Sequence, residues 1–197
     1  MDQITHQDRS LSLPNLLTYG RIAAVPALVA CFFVSGDVGH WLAFAIFAAA
    51  GITDFLDGYL ARAWAQQSAL GRMLDPIADK LLVAAALMML AANQTIAGWS
   101  LWAAVIIMSR EILVSGLREY LAELDVSVPV TRLSKYKTTL QMVAIGFLLA
   151  GPAADKIFDG TTIIGLTLLW ISAILTLYTG YDYLRAGLRH AINGGGH

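Results

Sequence analysis

Runs of apolar residues recur along the whole chain, broken by short polar or glycine-bearing stretches. Read for length and periodicity, the pattern predicts helices at 13–35, 39–64, 70–92, 97–122, 132–152 and 160–188. Each exceeds the ~20 residues that cross a hydrocarbon layer. The breaks leave no space for a separate soluble domain. The expected architecture is therefore all-α: one polytopic membrane domain of six transmembrane helices over residues 13–190. Residues 1–12 are expected to form an N-terminal cytoplasmic or interfacial segment, and the glycine-rich 191–197 a disordered tail.

Composition strengthens that reading. Of 197 residues, 57% are hydrophobic and only 14% charged, with a mean hydropathy of +0.64; a typical soluble domain carries about 25% charged residues. The net charge of −1 and the lack of a basic stripe argue against nucleic acid as a partner. Cys31 stands alone in an apolar run and reads as a packing residue. The histidines (His6, His40, His190, His197) are scattered, which argues against zinc. A removable signal peptide is not expected from the acidic start.

Charge sets the expected orientation. Of the 13 lysines and arginines, only Lys156 falls on the side of the breaks near 37, 95 and 156. The positive-inside rule then places both termini in the cytoplasm. Within the helices, charged residues gather towards that same side: Arg21, Asp54 and Asp57, Asp75 and Asp79, Arg110 and Glu111, Lys135 and Lys137. Ionisable groups inside a span cost several kcal/mol unless paired or hydrated. A polar cavity open to the cytoplasmic side is the simplest arrangement that accommodates them.

The densest chemistry reads D-x2-D-G-x2-A-R-x8-G-x3-D-x3-D, from Asp54 to Asp79. Asp54, Asp57, Gly58, Ala61 and Arg62 share one helix face, and Gly71, Asp75 and Asp79 repeat the logic at steps of four. The short connection predicts that these two helices are antiparallel neighbours whose special faces meet. Four carboxylates in one partly desolvated pocket repel one another, and two divalent cations would balance them. An all-oxygen donor set favours Mg2+ or Mn2+. Gly58 and Gly71 would let a diphosphate approach the backbone, and Arg62 offers a forked donor to phosphate. Pro76 leaves open whether Asp75 caps a helix start or lies within a kinked helix.

The stretch Asp54–Asp79 resembles the signature of the CDP-alcohol phosphatidyltransferases throughout. The resemblance implies a six-helix membrane enzyme, commonly a homodimer, that uses Mg2+ or Mn2+, two ions per site. It implies Asp54, Asp57 and Asp75 as metal ligands. Asp79 would be a ligand of the second metal and the base on the acceptor hydroxyl. Gly58, Ala61, Arg62 and Gly71 would line the cytidine diphosphate site.

The acceptor must be read elsewhere. Arg110 and Arg118 on the fourth helix, with Arg132, Lys135 and Lys137 opening the fifth, form a cationic set suited to a phosphorylated acceptor. Arg110 pairing with Glu111 or Glu119, and Lys135 snorkelling to lipid headgroups, are the structural alternatives. Asn15-Leu16-Leu17-Thr18 with Arg21, Ser109-Arg110-Glu111-Ile112, Leu117-Arg118-Glu119 and Lys135-Tyr136-Lys137-Thr138 with Gln141-Met142 resemble bacterial members of the family that use glycerol 3-phosphate. The likeness spans about residues 13–185. It implies acceptor-phosphate binding by Arg110, Arg118, Lys135 and Lys137, CDP-diacylglycerol as donor, and a place among the lipids of a bacterial inner membrane. A sister chemistry with inositol phosphate is the nearest rival. A cation-coupled transporter is the rival of another class; the apolar far half and the lack of an internal repeat count against it.

Overall fold

A computed structural model describes the backbone of residues 13–64, 69–123 and 132–193, and the side chains of 16–54, 73–121 and 136–181. Among the described residues there are six helices and no strand: α1 Leu13–Cys31, α2 Asp37–Trp64, α3 Ala69–Ala92, α4 Ser100–Glu123, α5 Arg132–Ala154 and α6 Thr161–Asn193. The bounds fall within a few residues of those expected, with two instructive exceptions. The first helix stops at Cys31 although Phe32, Phe33 and Val34 continue the apolar run, because the chain turns through Gly36 at φ +80°. The last helix continues to Asn193 and so takes in the first residues of the expected tail. Among the described residues, two stretches, Ser100–Leu121 and Thr161–Tyr181, are long and apolar enough to cross a membrane.

Three tight turns close one end of the bundle. Gln94 (φ 65°) and Gly98 (φ 55°) shape the α3–α4 turn, and the Asn93 side chain accepts the Thr95 amide at 3.1 Å. Gly160 (φ 92°) shapes the α5–α6 turn, while Asp155 accepts the Thr162 amide at 3.0 Å and its hydroxyl at 2.5 Å. Lys156 pairs with Asp37 at 2.6 Å, fastening the α5–α6 turn to the start of α2.

Among the described residues α1 packs against both α2 and α3, α5 against α2 and α6, and α4 against α6, so the helices follow one another around the bundle as α3, α1, α2, α5, α6, α4. Each of the two aspartate-bearing helices packs on α1 over its described residues, and Asp54 of α2 still stands in one electrostatic environment with Asp75 and Asp79 of α3. There α1 supplies a hydroxyl to Asp75 and a cation to Asp54, which offsets the mutual repulsion of the carboxylates. The middle of the bundle is a core of Leu28, Phe47, Leu87, Ile107, Leu148 and Leu169 with their neighbours, and Cys31 belongs to it as a packing residue. Large apolar side chains also face outwards, among them Trp102 and Ile112 on α4 and Ile163 and Ile174 on α6. A face of this kind suits lipid better than water.

Candidate active site

The site is organised by α1. Thr18 and Arg21 lie three positions apart, so both project from one helix face. The Thr18 hydroxyl donates to Asp75 of α3, and the Arg21 guanidinium pairs with Asp54 of α2 at 2.9 Å. Arg21 is only 2% exposed, whereas almost half of the Asp54 side chain is open. Asp75 lies well inside α3 with Pro76 after it, so it caps no helix start. Asp79 stands one turn further on and has Asp54, Asp75, Glu111 and the Arg21 cation as its charged neighbours. Three of the four expected carboxylates therefore share one electrostatic environment.

Asp79 also sits where two cavities meet. A groove of about 580 Å3 runs between α2 and α5; Phe44, Phe47, Ile52, Val143 and Phe147 make it apolar, and Asp54 and Asp79 stand in its wall. A second cavity, of about 220 Å3, lies between α3, α4 and α5 and is polar along Asp79, Lys80, Glu111, Arg118 and Gln141. Asp79, Thr138 and Met142 line both. Lys80 is held by the Ser115 hydroxyl, which in turn donates to Glu119 at 3.5 Å.

The expected cationic set divides. Arg118 lines the smaller cavity and is exposed. Arg110 and Lys137 are directed to Glu111 instead: Lys137, 1% exposed, donates to it, and Arg110 pairs with it at 3.3 Å. Arg110 also donates to Thr179 at 3.4 Å and passes over Gly180, where a Cβ would stand 3.1 Å from its Cγ. Of the alternatives for Arg110, the pairing with Glu111 is the one observed. Lys80, Thr138 and Gln141 had no individual role from the sequence, although Thr138 and Gln141 stand in the motif from Lys135 to Met142, and Glu111 was expected only as a partner of Arg110. The i, i+4 steps 137–141 and 138–142 on α5 were the available signal, since both lead towards the cavity walls. The side chains of Asp57, Ala61, Arg62 and Lys135, and the surroundings of Gly58 and Gly71, lie outside the described residues.

Divalent metal can be tested against this donor set. Among the described residues no three acidic, histidine or cysteine side chains form a ready-made chelate, and Asp57 is outside them. Asp54, Asp75 and Asp79 nonetheless supply hard oxygens in a common field that Arg21 alone does not balance. That combination fits a hard divalent cation.

Residues 11–180 match the model of the CDP-alcohol phosphatidyltransferase family. The chain belongs to that family. It is 44% identical over 175 residues to a Rickettsia bellii protein, covering 89% of this chain and 94% of that one. It is 37% identical to a Cereibacter sphaeroides protein over 212 residues, with 90% and 96% covered. Both carry the name CDP-diacylglycerol–glycerol-3-phosphate 3-phosphatidyltransferase. An Arabidopsis thaliana protein with the same name and the number 2 is 41% identical over 186 residues, with 89% and 79% covered.

Proposed function

We propose that this protein is a membrane enzyme that transfers the phosphatidyl group of CDP-diacylglycerol to sn-glycerol 3-phosphate, yielding phosphatidylglycerophosphate and CMP. The observation that carries this reading is the position of Asp79, with Thr138 and Met142, on the shared wall of an apolar groove and a smaller polar cavity. The reaction needs such a wall, because one substrate is a lipid and the other a water-soluble phosphate. The groove takes the acyl portion of the donor. Arg118 and Lys80 face the acceptor phosphate, with Lys135, Arg110 and Lys137 adding positive charge behind them.

Asp79 takes the proton of the acceptor 1-hydroxyl as that oxygen attacks the lipid-side phosphorus, and the bond from phosphorus to the CMP oxygen breaks. General-base catalysis of this kind contributes about 100- to 10,000-fold. Thr18 and Arg21 orient Asp75 and Asp54, while Gly58, Ala61, Arg62 and Gly71 line the cytidine diphosphate. Asp54, Asp57, Asp75 and Asp79 would hold two divalent cations, Mg2+ or Mn2+, whose chemistry when bound is to neutralise the diphosphate charge and that of the departing CMP.

The six helices span the bacterial inner membrane, with both termini and the site on the cytoplasmic side, and the molecule works as a homodimer. At 33 residues α6 is about 50 Å long, more than a hydrocarbon core of about 30 Å requires. The outward-facing apolar residues and the 13 lysines and arginines biased to one side support that placement.

The decisive assay incubates purified protein with CDP-diacylglycerol, Mn2+ and a panel of acceptors, and follows CMP. Release that requires glycerol 3-phosphate is expected. Release that requires inositol phosphate instead, or no acceptor dependence, overturns the reading.

A further inference from the structure

Gln141 is 2% exposed, lines the smaller cavity beside Asp79, and its carbonyl oxygen Oε1 is buried with no hydrogen-bond partner. Buried polar atoms are normally satisfied, so an acceptor left without a donor at a cavity wall calls for a ligand that brings one. A phosphate group is the wrong ligand: its oxygens accept and, as the dianion, have no proton to give. The chemistry of Oε1 asks for an O–H or N–H. The cavity's cations, Lys80 and Arg118, are suited to the phosphate end, which leaves Gln141 to meet the carbon backbone of the acceptor.

We infer that Gln141 determines acceptor specificity by accepting a hydrogen bond from the 2-hydroxyl of glycerol 3-phosphate. The inference rests on the acceptor reading above and deepens it. Glycerol 3-phosphate has two hydroxyls. The 1-hydroxyl gives its proton to Asp79, so the 2-hydroxyl is the one free to donate to the amide. Gln141 lies one helical turn from Lys137, whose ammonium is held by Glu111 of the same cavity wall. Its place on the helix is thereby fixed from the neighbouring turn. A site built around a substrate hydroxyl discriminates against the analogue lacking it, because the buried partner is then left unpaired.

The test compares glycerol 3-phosphate with 3-hydroxypropyl phosphate, its 2-deoxy analogue, as acceptors for CDP-diacylglycerol, reading kcat/KM from CMP release. The intact protein is expected to favour glycerol 3-phosphate by about 10- to 100-fold, the range spanned by losing one buried hydrogen bond. Gln141→Leu is expected to bring the ratio close to one, and Gln141→Glu, which keeps an acceptor oxygen, to retain the preference. Equal use of the two acceptors by the intact protein overturns the inference and leaves the proposed activity standing; it needs no variant, so a misfolded Gln141→Leu does not spoil it. A Gln141→Leu ratio equal to that of the intact protein also overturns it, as does a change confined to the KM for CDP-diacylglycerol. Failure to use glycerol 3-phosphate at all is a different result and removes the proposed function itself.

Discussion

The two ends of the bundle are held together by different physics. Towards the three tight turns, the helices meet through apolar side chains such as Leu87, Leu90, Ile96 and Leu149, all at most 2% exposed, and through small residues. Towards the site, the same helices meet through buried charge: Arg21 on Asp54, and Lys137 and Arg110 on Glu111. The apolar end keeps its shape because dispersion and close packing favour one arrangement. The site end keeps its shape because Arg21 reaches Asp54 and Lys137 reaches Glu111 from other helices, and removal of one partner strands the other in a poorly hydrated place. Stability at the first end is diffuse and tolerant. At the second it is concentrated in a few residues that also shape the cavities.

The sharpest way to separate chemistry from this scaffold is Asp79→Asn. Asp79 has like charges from Asp54, Asp75 and Glu111 around it against the one Arg21 cation, so neutralising it relieves more repulsion than the attraction it gives up. Turnover is expected to fall about 100- to 10,000-fold, the contribution of a general base. The melting temperature in detergent should be maintained. Near-normal CMP release from the folded variant would remove the proposed base.

Glu111→Gln attacks the scaffold and the cavity together. It leaves the buried Lys137 and the half-buried Arg110 without a carboxylate, at a cost of about 1–3 kcal/mol, since Glu111 is itself 23% exposed. Both the denaturation midpoint and the KM for glycerol 3-phosphate should worsen. A change in KM with an unaltered midpoint would show that the pairs contribute nothing to the fold.

Much of this division was readable from residue order, and the part that was not has a physical reason. Helix positions follow from apolar runs, which are local, so all six emerged within a few residues. Asp54, Asp75 and Asp79 were legible because four like charges at helical spacing have few structural uses. The part played by α1 was not legible: Thr18 and Arg21 meet Asp75 and Asp54 only through the fold, since they are distant in sequence. The Arg110–Glu111 pair was among the alternatives because the two are adjacent, whereas the reach of Lys137 from α5 to the same carboxylate is a tertiary fact. Gln141 stood in a motif, but its unsatisfied oxygen could not be read there, since only the fold decides whether an amide is satisfied.

At the apolar end the corresponding perturbation is steric and smaller. A Cβ at Gly165 of α6 would stand 2.8 Å from Cγ of Leu148 and 3.2 Å from its backbone nitrogen. Leu148 is fully buried, so its side chain has little space to yield, and the backbone atom has less. Gly165→Ala should therefore cost about 1–3 kcal/mol, as overpacking does, with a drop of roughly 2–4 °C in the melting temperature for each kcal/mol. Activity per folded molecule should survive, in contrast to Glu111→Gln. A large loss of turnover with unchanged melting would mean that the two ends are not independent.

The mildest test addresses the turn where the apolar end meets solvent. Hydrogen bonds from the Thr162 hydroxyl, and then from its amide, hold the Asp155 carboxyl below the ordinary carboxylate range. From the α5–α6 turn the carboxylate reaches the Thr162 amide at the start of α6, the favourable end of the helix dipole. Because the folded-state value is lowered, the unfolded chain binds the proton more readily, and stability rises with pH across that interval. The contribution is complete above the ordinary carboxylate range and disappears as the pH falls through the lowered value. Asp155→Asn cannot titrate. The melting temperature of the intact protein should therefore exceed that of Asp155→Asn by a constant few degrees or less above about pH 5, and the gap should close on further acidification. A gap that stays constant down to the acid limit, or widens there, would mean that the charge on Asp155 does not fasten α6. Turnover at neutral pH should be the same in both, since the site lies at the opposite end of the bundle.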